Sequence, residues 1–315
     1  MSTIADDAGD RAPEAAPAAE RGPARTLLSL VKREFWEHRS LWWAPSAVAA
    51  LMVLGALIAS MKYRVPDLDI SSGDAGPFAG MAMFGVAQAF ASSWLLLVSG
   101  IVVLFYLLDC LYAERKDRSI LFWKSLPVSD SLTILSKLLV ALVLVPLGVY
   151  ALGLVVSLLS VGIWQLNAAL GRLPPIPGWD LGGWLQAEVA LLLCFFIGML
   201  WYAPWAAYLL VVSAWARRQP FLWLTLPPLA LQIVERIAFG THYVANFIGY
   251  RLFGIWPILF SNMHFGHGRA RAFGDALAQL DLGAALGNID LWLGLAAGAG
   301  LLYVAIRIRR YRDDT

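Results

Sequence analysis

Six stretches of this chain are apolar over close to the ~20 residues that a helix needs to cross a bilayer. They cover residues 42–61, 88–108, 138–164, 184–215, 221–239 and 289–306. The fourth is longer than a membrane requires, and Pro204 inside it predicts a kink. Composition supports the same reading. Hydrophobic types make up 59% of the 315 residues and charged types 15%, against roughly 45–50% and about 25% in soluble domains. A single soluble domain of this length could not hide so much apolar surface, so the solvent is lipid. The 14 Trp fit it too, since Trp favours the membrane–water interface. The expected fold is therefore an all-α integral membrane protein with six transmembrane helices.

Lys and Arg set the orientation, because cytosolic loops carry the excess. With the N-terminus inside, six fall before span one and five between spans two and three. Two more lie between spans four and five and four after span six, so seventeen of the 24 are cytosolic. Both termini are then expected in the cytosol. Residues 252–260 form a further apolar run. A seventh span there would put the four C-terminal arginines outside, so a re-entrant or surface segment broken by Pro257 is expected instead. It lies in an extracytosolic loop at 240–288.

Outside the spans, residues 1–24 are rich in Ala, Pro, Asp and Glu and predict a disordered cytosolic tail, with a second short tail at 313–315. The residues at 25–41 predict an amphipathic interfacial helix. At about 100° per residue Leu27, Leu28, Val31 and Phe35 share one arc. Leu30 and Trp36 break that arc, and a cytosolic helix packed on the rest of the protein is the alternative. The domain of six spans occupies 42–312. Gly294 and Gly298 form a G-x-x-x-G in the last span, read as close helix packing.

Chemistry-bearing motifs are few. The sequence has no G-x-x-x-x-G-K-[ST], H-E-x-x-H or G-x-S-x-G. No catalytic, cofactor-binding or metal site is expected in this chain, and a net charge of +2 gives no field for nucleic acid. His264 and His267 are spaced i, i+3 in an outward loop and lack two further metal ligands. Cys110 and Cys194 do not suggest a disulfide framework. Glu188, Glu235 and Arg236 lie within spans, where charge is costly and by default functional. They are candidates for a polar path, against the alternative that they reach the outer headgroups.

The most informative segment is 109–137. Glu114, Arg115, Lys116, Asp117 and Arg118 form a run of alternating sign, and Ile120, Leu121, Phe122 and Trp123 an apolar cluster. Pro127 ends that element, and Ser129 or Asp130 can cap the next helix. A short helix with exposed aromatics between charges of both signs suits docking; the alternative is a juxtamembrane segment with its aromatics in the headgroups.

From residue 25 to 312 the order of elements resembles a permease subunit of the ABC-2 type of ATP-binding-cassette transporters. The loop resembles the pattern E-R-x-x-x-S-I-x-x-x-x-S-L-P-V-S at Glu114, Arg115, Ser119, Ile120, Ser125, Leu126, Pro127, Val128 and Ser129, with Lys137 opening span three. The resemblance implies a cytosolic coupling helix between spans two and three and a separate ATPase subunit seated on 114–130. Glu114, Arg115 and Arg118 would be its charged contacts, and Phe122 and Trp123 its apolar anchors. It also implies ATP bound by that partner, a second permease copy beside this one, export of a substrate, and a bacterial inner membrane. Two other classes compete with it. One is a membrane scaffold or sensor using the same loop. The other is an intramembrane enzyme built on Glu188, Glu235 and the two histidines.

Overall fold

The computed structural model describes residues 23–62, 79–119, 128–173, 181–261 and 280–311, with side chains from 92 onward in the second segment. The tail before 23, Phe122, Trp123, His264, His267 and the last four residues lie outside the described residues. Among those described, all regular structure is helical. Helix α1 covers Pro23–Glu37, α2 Ser40–Lys62, α3 Ala79–Asp109 and α4 Tyr112–Lys116. Next come α5 at Asp130–Leu139, a π-helical turn at Val140–Leu144 and α6 at Val145–Ala169. Then follow α7 at Leu181–Trp215, α8 at Pro220–Phe239, α9 at Tyr243–Phe253 and α10 at Ile255–Leu259. The chain closes with α11 at Leu282–Gly287 and α12 at Ile289–Tyr311.

Six of these helical runs are long and apolar enough to cross a membrane, and they coincide with the six stretches read from the sequence. Local chemistry explains several boundaries. Ser129 caps α5 by accepting the N–H of Leu132 at 3.3 Å, so it rather than Asp130 starts that helix. The π turn lies directly before Pro146, which has no N–H to give to the carbonyl four residues back. Helix α8 begins at Pro220 and ends at Gly240, whose φ of 66° suits a residue without Cβ. Helix α7 continues through Pro204 as one element.

The main core joins α2, α3, α5, α6, α7 and the end of α12, with Leu41, Leu107, Val140, Leu210 and Ala305 fully buried in it. Helices α7 and α12 lie closest together. A Cβ built on Gly298 would sit 3.2 Å from the Cα of Pro204. Gly294 is equally tight, with the Arg251 guanidinium packed against it. The G-x-x-x-G is thus a packing device, as expected.

The 252–260 run adds no seventh long helix. Its Ile255 and Leu259 are fully buried in a second core with Cys194, Ile197 and Trp201 of α7. Trp201 Nε1 donates to the Arg251 carbonyl at 2.9 Å, and Tyr202 Oη to that of Leu252 at 2.7 Å. The segment therefore packs beside the middle third of α7. The break falls at Gly254, between α9 and α10, while Pro257 is accommodated inside α10. Helix α8, like α9 after it, buries no residue.

Replacing Gly298 tests the α7–α12 contact. Gly298→Leu must push backbone apart rather than move a flexible side chain, and such overpacking costs about 1–3 kcal/mol. We expect a lower melting temperature in detergent, with Gly300→Leu, which meets open space, close to the parent.

Candidate functional site

Helix α1 faces the protein with a side that takes in only part of the apolar arc of its sequence. Leu30 and Glu34 are buried, Val31 and Phe35 pack on the main core, and Leu28 is exposed. The face includes a charge because a partner waits for it. Glu34 is 0% exposed and Lys137 of α5 is 1% exposed. Lys137 Nζ lies 2.8 Å from Glu34 Oε1 and 3.0 Å from Glu114 Oε1. Burying either charge alone would cost several kcal/mol, so each is retained only because the other is there.

The cluster extends in both directions. Tyr106 Oη of α3 donates to Glu34 Oε2 at 2.9 Å. Arg33 Nη2 reaches Glu34 Oε1 at 2.9 Å and Glu114 Oε1 at 3.3 Å. Arg309 near the end of α12 holds Glu114 Oε2 through Nη1 and Asp130 Oδ1 through Nε, the latter at 2.9 Å. Three carboxylates, Glu34, Glu114 and Asp130, thus face three cations, Arg33, Lys137 and Arg309, and Glu37 adds a fourth carboxylate at the rim through Arg33 at 3.5 Å. It ties together α1, α4, α5 and α12 at one end of the bundle. Burial by itself would raise the Glu34 carboxyl, but the Lys137 ammonium and the Arg33 guanidinium outweigh it and hold it below its ordinary value of 4.5. Burial holds the neighbouring His38 below its usual value, with Glu34 opposing.

The other residues picked out by sequence fall in several places. Arg115 donates through Nη2 to the carbonyls of Ser213 and Ala216 at 2.6 and 2.8 Å, so it caps the C-terminus of α7. Ser213 Oγ in turn accepts the N–H groups of Leu111 and Tyr112, both at 3.1 Å. Glu114 and Arg115, expected as contacts for a partner, therefore point into this protein. Arg118 is exposed, with a left-handed φ of 57°. Phe122 and Trp123 lie outside the described residues.

The candidate polar path does not assemble among the described residues. Glu188 is buried in α7, its Oε2 has no hydrogen-bond partner, and its carbonyl accepts from Tyr150 Oη at 3.2 Å. Glu235 instead caps α9. Its two oxygens accept from Thr241 Oγ1 at 2.6 Å, Tyr243 N at 2.5 Å and Val244 N at 2.9 Å. Arg236 is exposed, and no ion pair or hydrogen bond joins these three residues.

Sequence reasoning overlooked Glu34, Tyr106 and Arg309 and gave Lys137 no structural role beyond opening span three. One signal was present: Glu34 lies four residues after Leu30, on the same side of the helix. Glu34, Glu37 and His38 bring three ligand atoms within 4.8 Å of one another. Lys137, Arg33 and Tyr106 already occupy the Glu34 oxygens, so the group does not fit a cation. The sequence matches no protein-family model and no curated relative.

Two outcomes test the cluster. Lys137→Met removes the more deeply buried of the two cations, Lys137 and Arg33, that bridge Glu34 and Glu114, and breaking a buried pair costs about 3–5 kcal/mol. The protein should melt well below the parent, and adding Glu34→Gln to Lys137→Met should recover part of the loss. The second outcome concerns pH. A depressed carboxyl adds stability above its unfolded value of 4.5 and loses it as pH falls through the folded one. Melting temperatures of the parent should therefore drop more steeply below pH 4.5 than those of Glu34→Gln.

Proposed function

We propose that this chain is the membrane-spanning permease subunit of an ATP-driven ABC-2 type transporter. In this reading it exports an unidentified substrate across a bacterial inner membrane, with both termini in the cytosol. A separate ATP-binding-cassette ATPase binds and hydrolyses ATP. A second permease copy completes the path, because six helices with so few inward charges offer a hydrophilic solute little.

The observation that carries the reading is where the 114–130 segment is rooted. Glu114 and Asp130, at its two ends, are both held by Arg309 of α12. Lys137, one helix turn or two beyond, joins Glu114 to Glu34 of α1. A push on the middle of this loop would therefore reach α1, α5 and α12 together through short charged contacts. That is what a coupling element needs: an exposed tip for the partner and rigid roots in the spans. Glu114 and Arg115 serve as roots in this scheme. Arg118, Phe122 and Trp123 remain to meet the ATPase, and of the described residues Lys116 and Arg118 are exposed.

The scheme separates two kinds of variant. Aromatic and Arg side chains concentrate interface energy, and truncating a buried anchor costs more than about 2 kcal/mol, roughly thirtyfold in affinity. Trp123→Ala and Phe122→Ala should leave melting of the permease unchanged and remove the ATPase from the detergent-purified complex, read by mass spectrometry. Glu114→Gln should do the reverse, lowering melting temperature first. Full ATPase recovery with a Phe122→Ala/Trp123→Ala double variant would sink the docking assignment.

A further inference from the structure

Among the described residues, no protein lies against the outward side of α1. Taking about 100° per residue, Arg25, Lys32 and Trp36 fall within a narrow stripe, and Glu34, nine residues after Arg25, lies on the opposite side. The ion pair of Glu34 with Lys137 therefore fixes which way the stripe faces. Arg25, Leu28, Lys32, Trp36 and Arg39 are all exposed, and so is Trp43 one helix on. Trp36 and Trp43 remain 71% and 73% accessible, an unusual degree for a large aromatic ring. Lys32 Nζ rests 5.1 Å from the centre of the Trp36 ring. Of the two carboxylates on α1, Glu34 is buried and Glu37 is paired with Arg33 at 3.5 Å, so the stripe itself is cationic.

Its position limits what can cover it. Only His38 and Arg39 separate α1 from α2, the first of the six helices long enough to span a bilayer. So short a link keeps α1 at the level where hydrocarbon gives way to water. Tryptophan and basic side chains interleaved at helical spacing are the chemistry that seats at headgroup depth. We propose that the stripe of Arg25, Lys32 and Trp36, together with exposed Arg39 just past the end of α1, binds anionic phospholipid headgroups, with the indole rings among the upper acyl carbons. Three cations without a free carboxylate between them favour a phosphate of net negative charge over a zwitterionic headgroup. The membrane-facing side of α1 is thus the basic stripe and not the arc of Val31 and Phe35, which the protein core uses. This inference does not depend on the transporter reading.

The test uses the full chain without any ATPase. Cys110 and Cys194 are buried, so a polarity-sensitive maleimide on Ser29→Cys, beside the stripe, reports from that face alone. The labelled protein is reconstituted in phosphatidylcholine vesicles with increasing shares of phosphatidylglycerol. Emission should shift to the blue as phosphatidylglycerol rises, and less so in high salt. Each basic side chain near an anionic surface is worth about 1 kcal/mol, or about fivefold. Lys32→Gln should therefore raise the phosphatidylglycerol share needed for half the shift several-fold. Arg25→Gln/Lys32→Gln/Arg39→Gln should abolish the shift while keeping the parent melting temperature, because all three side chains are exposed. Equal emission in both lipids, or an unchanged shift in the triple variant, would overturn the proposal. So would a probe that ignores lipid composition and responds only when an ATPase is added, since the face would then belong to a protein.

Discussion

The ammonium of Lys137, set between the carboxylates of Glu34 and Glu114, is the contact on which the arrangement of one end of the bundle depends. None of the three side chains is more than marginally exposed. A buried charge is tolerated only with partners close at hand. That requirement brings α1 against α5 and, through Glu114 and Arg309, brings α4 and α12 to the same place. Apolar packing alone specifies such meetings loosely, because many registers bury similar area. A set of interlocked anions and cations accepts only the register in which each finds its partner.

Away from the charged end, along the middle of α7, different forces organise the bundle. There, α9 and α10 fold back onto α7 through backbone carbonyls offered to Trp201 and Tyr202 and through fully buried Ile255 and Leu259. Gly298 lets α12 approach the backbone of Pro204. Small residues, indole donors and one helix break at Gly254 do what ion pairs do at the charged end. Helix α8 stands apart from both. It contacts α3 through the stack of Phe221 on Phe105 at 6.1 Å and α7 through Trp223 against Trp215 at 4.5 Å, yet buries none of its residues. Its outward leucines and isoleucines suit lipid or a second protein surface equally.

Contacts also explain why single residues changed meaning between sequence and structure. Glu114 and Arg115 sit in a run of alternating charge that reads as a solvated or docking surface. In the fold, Glu114 belongs to the buried cluster and Arg115 closes the end of α7. Glu235 reads as a costly charge in a span, but it is the cap of α9, whose orphan N–H groups need an acceptor. Each role requires a partner more than five residues away, and no local pattern encodes such a partner.

Length and hydropathy alone determined the helical class, the six long helices and most of their limits, because a backbone in lipid must satisfy itself within each helix. The cap at Ser129, the close packing at Gly294 and Gly298 and the absence of a seventh long helix at 252–260 were legible for equally local reasons. Only the tertiary structure decided which side of α1 turns inward, that Glu34 finds Lys137 across 103 positions, and that Arg309 finds Glu114 across 195. The reason is physical. The cost of a buried charge is set by what lies within about 3–4 Å of it, and in this protein those neighbours come from distant helices that meet only once the chain has folded.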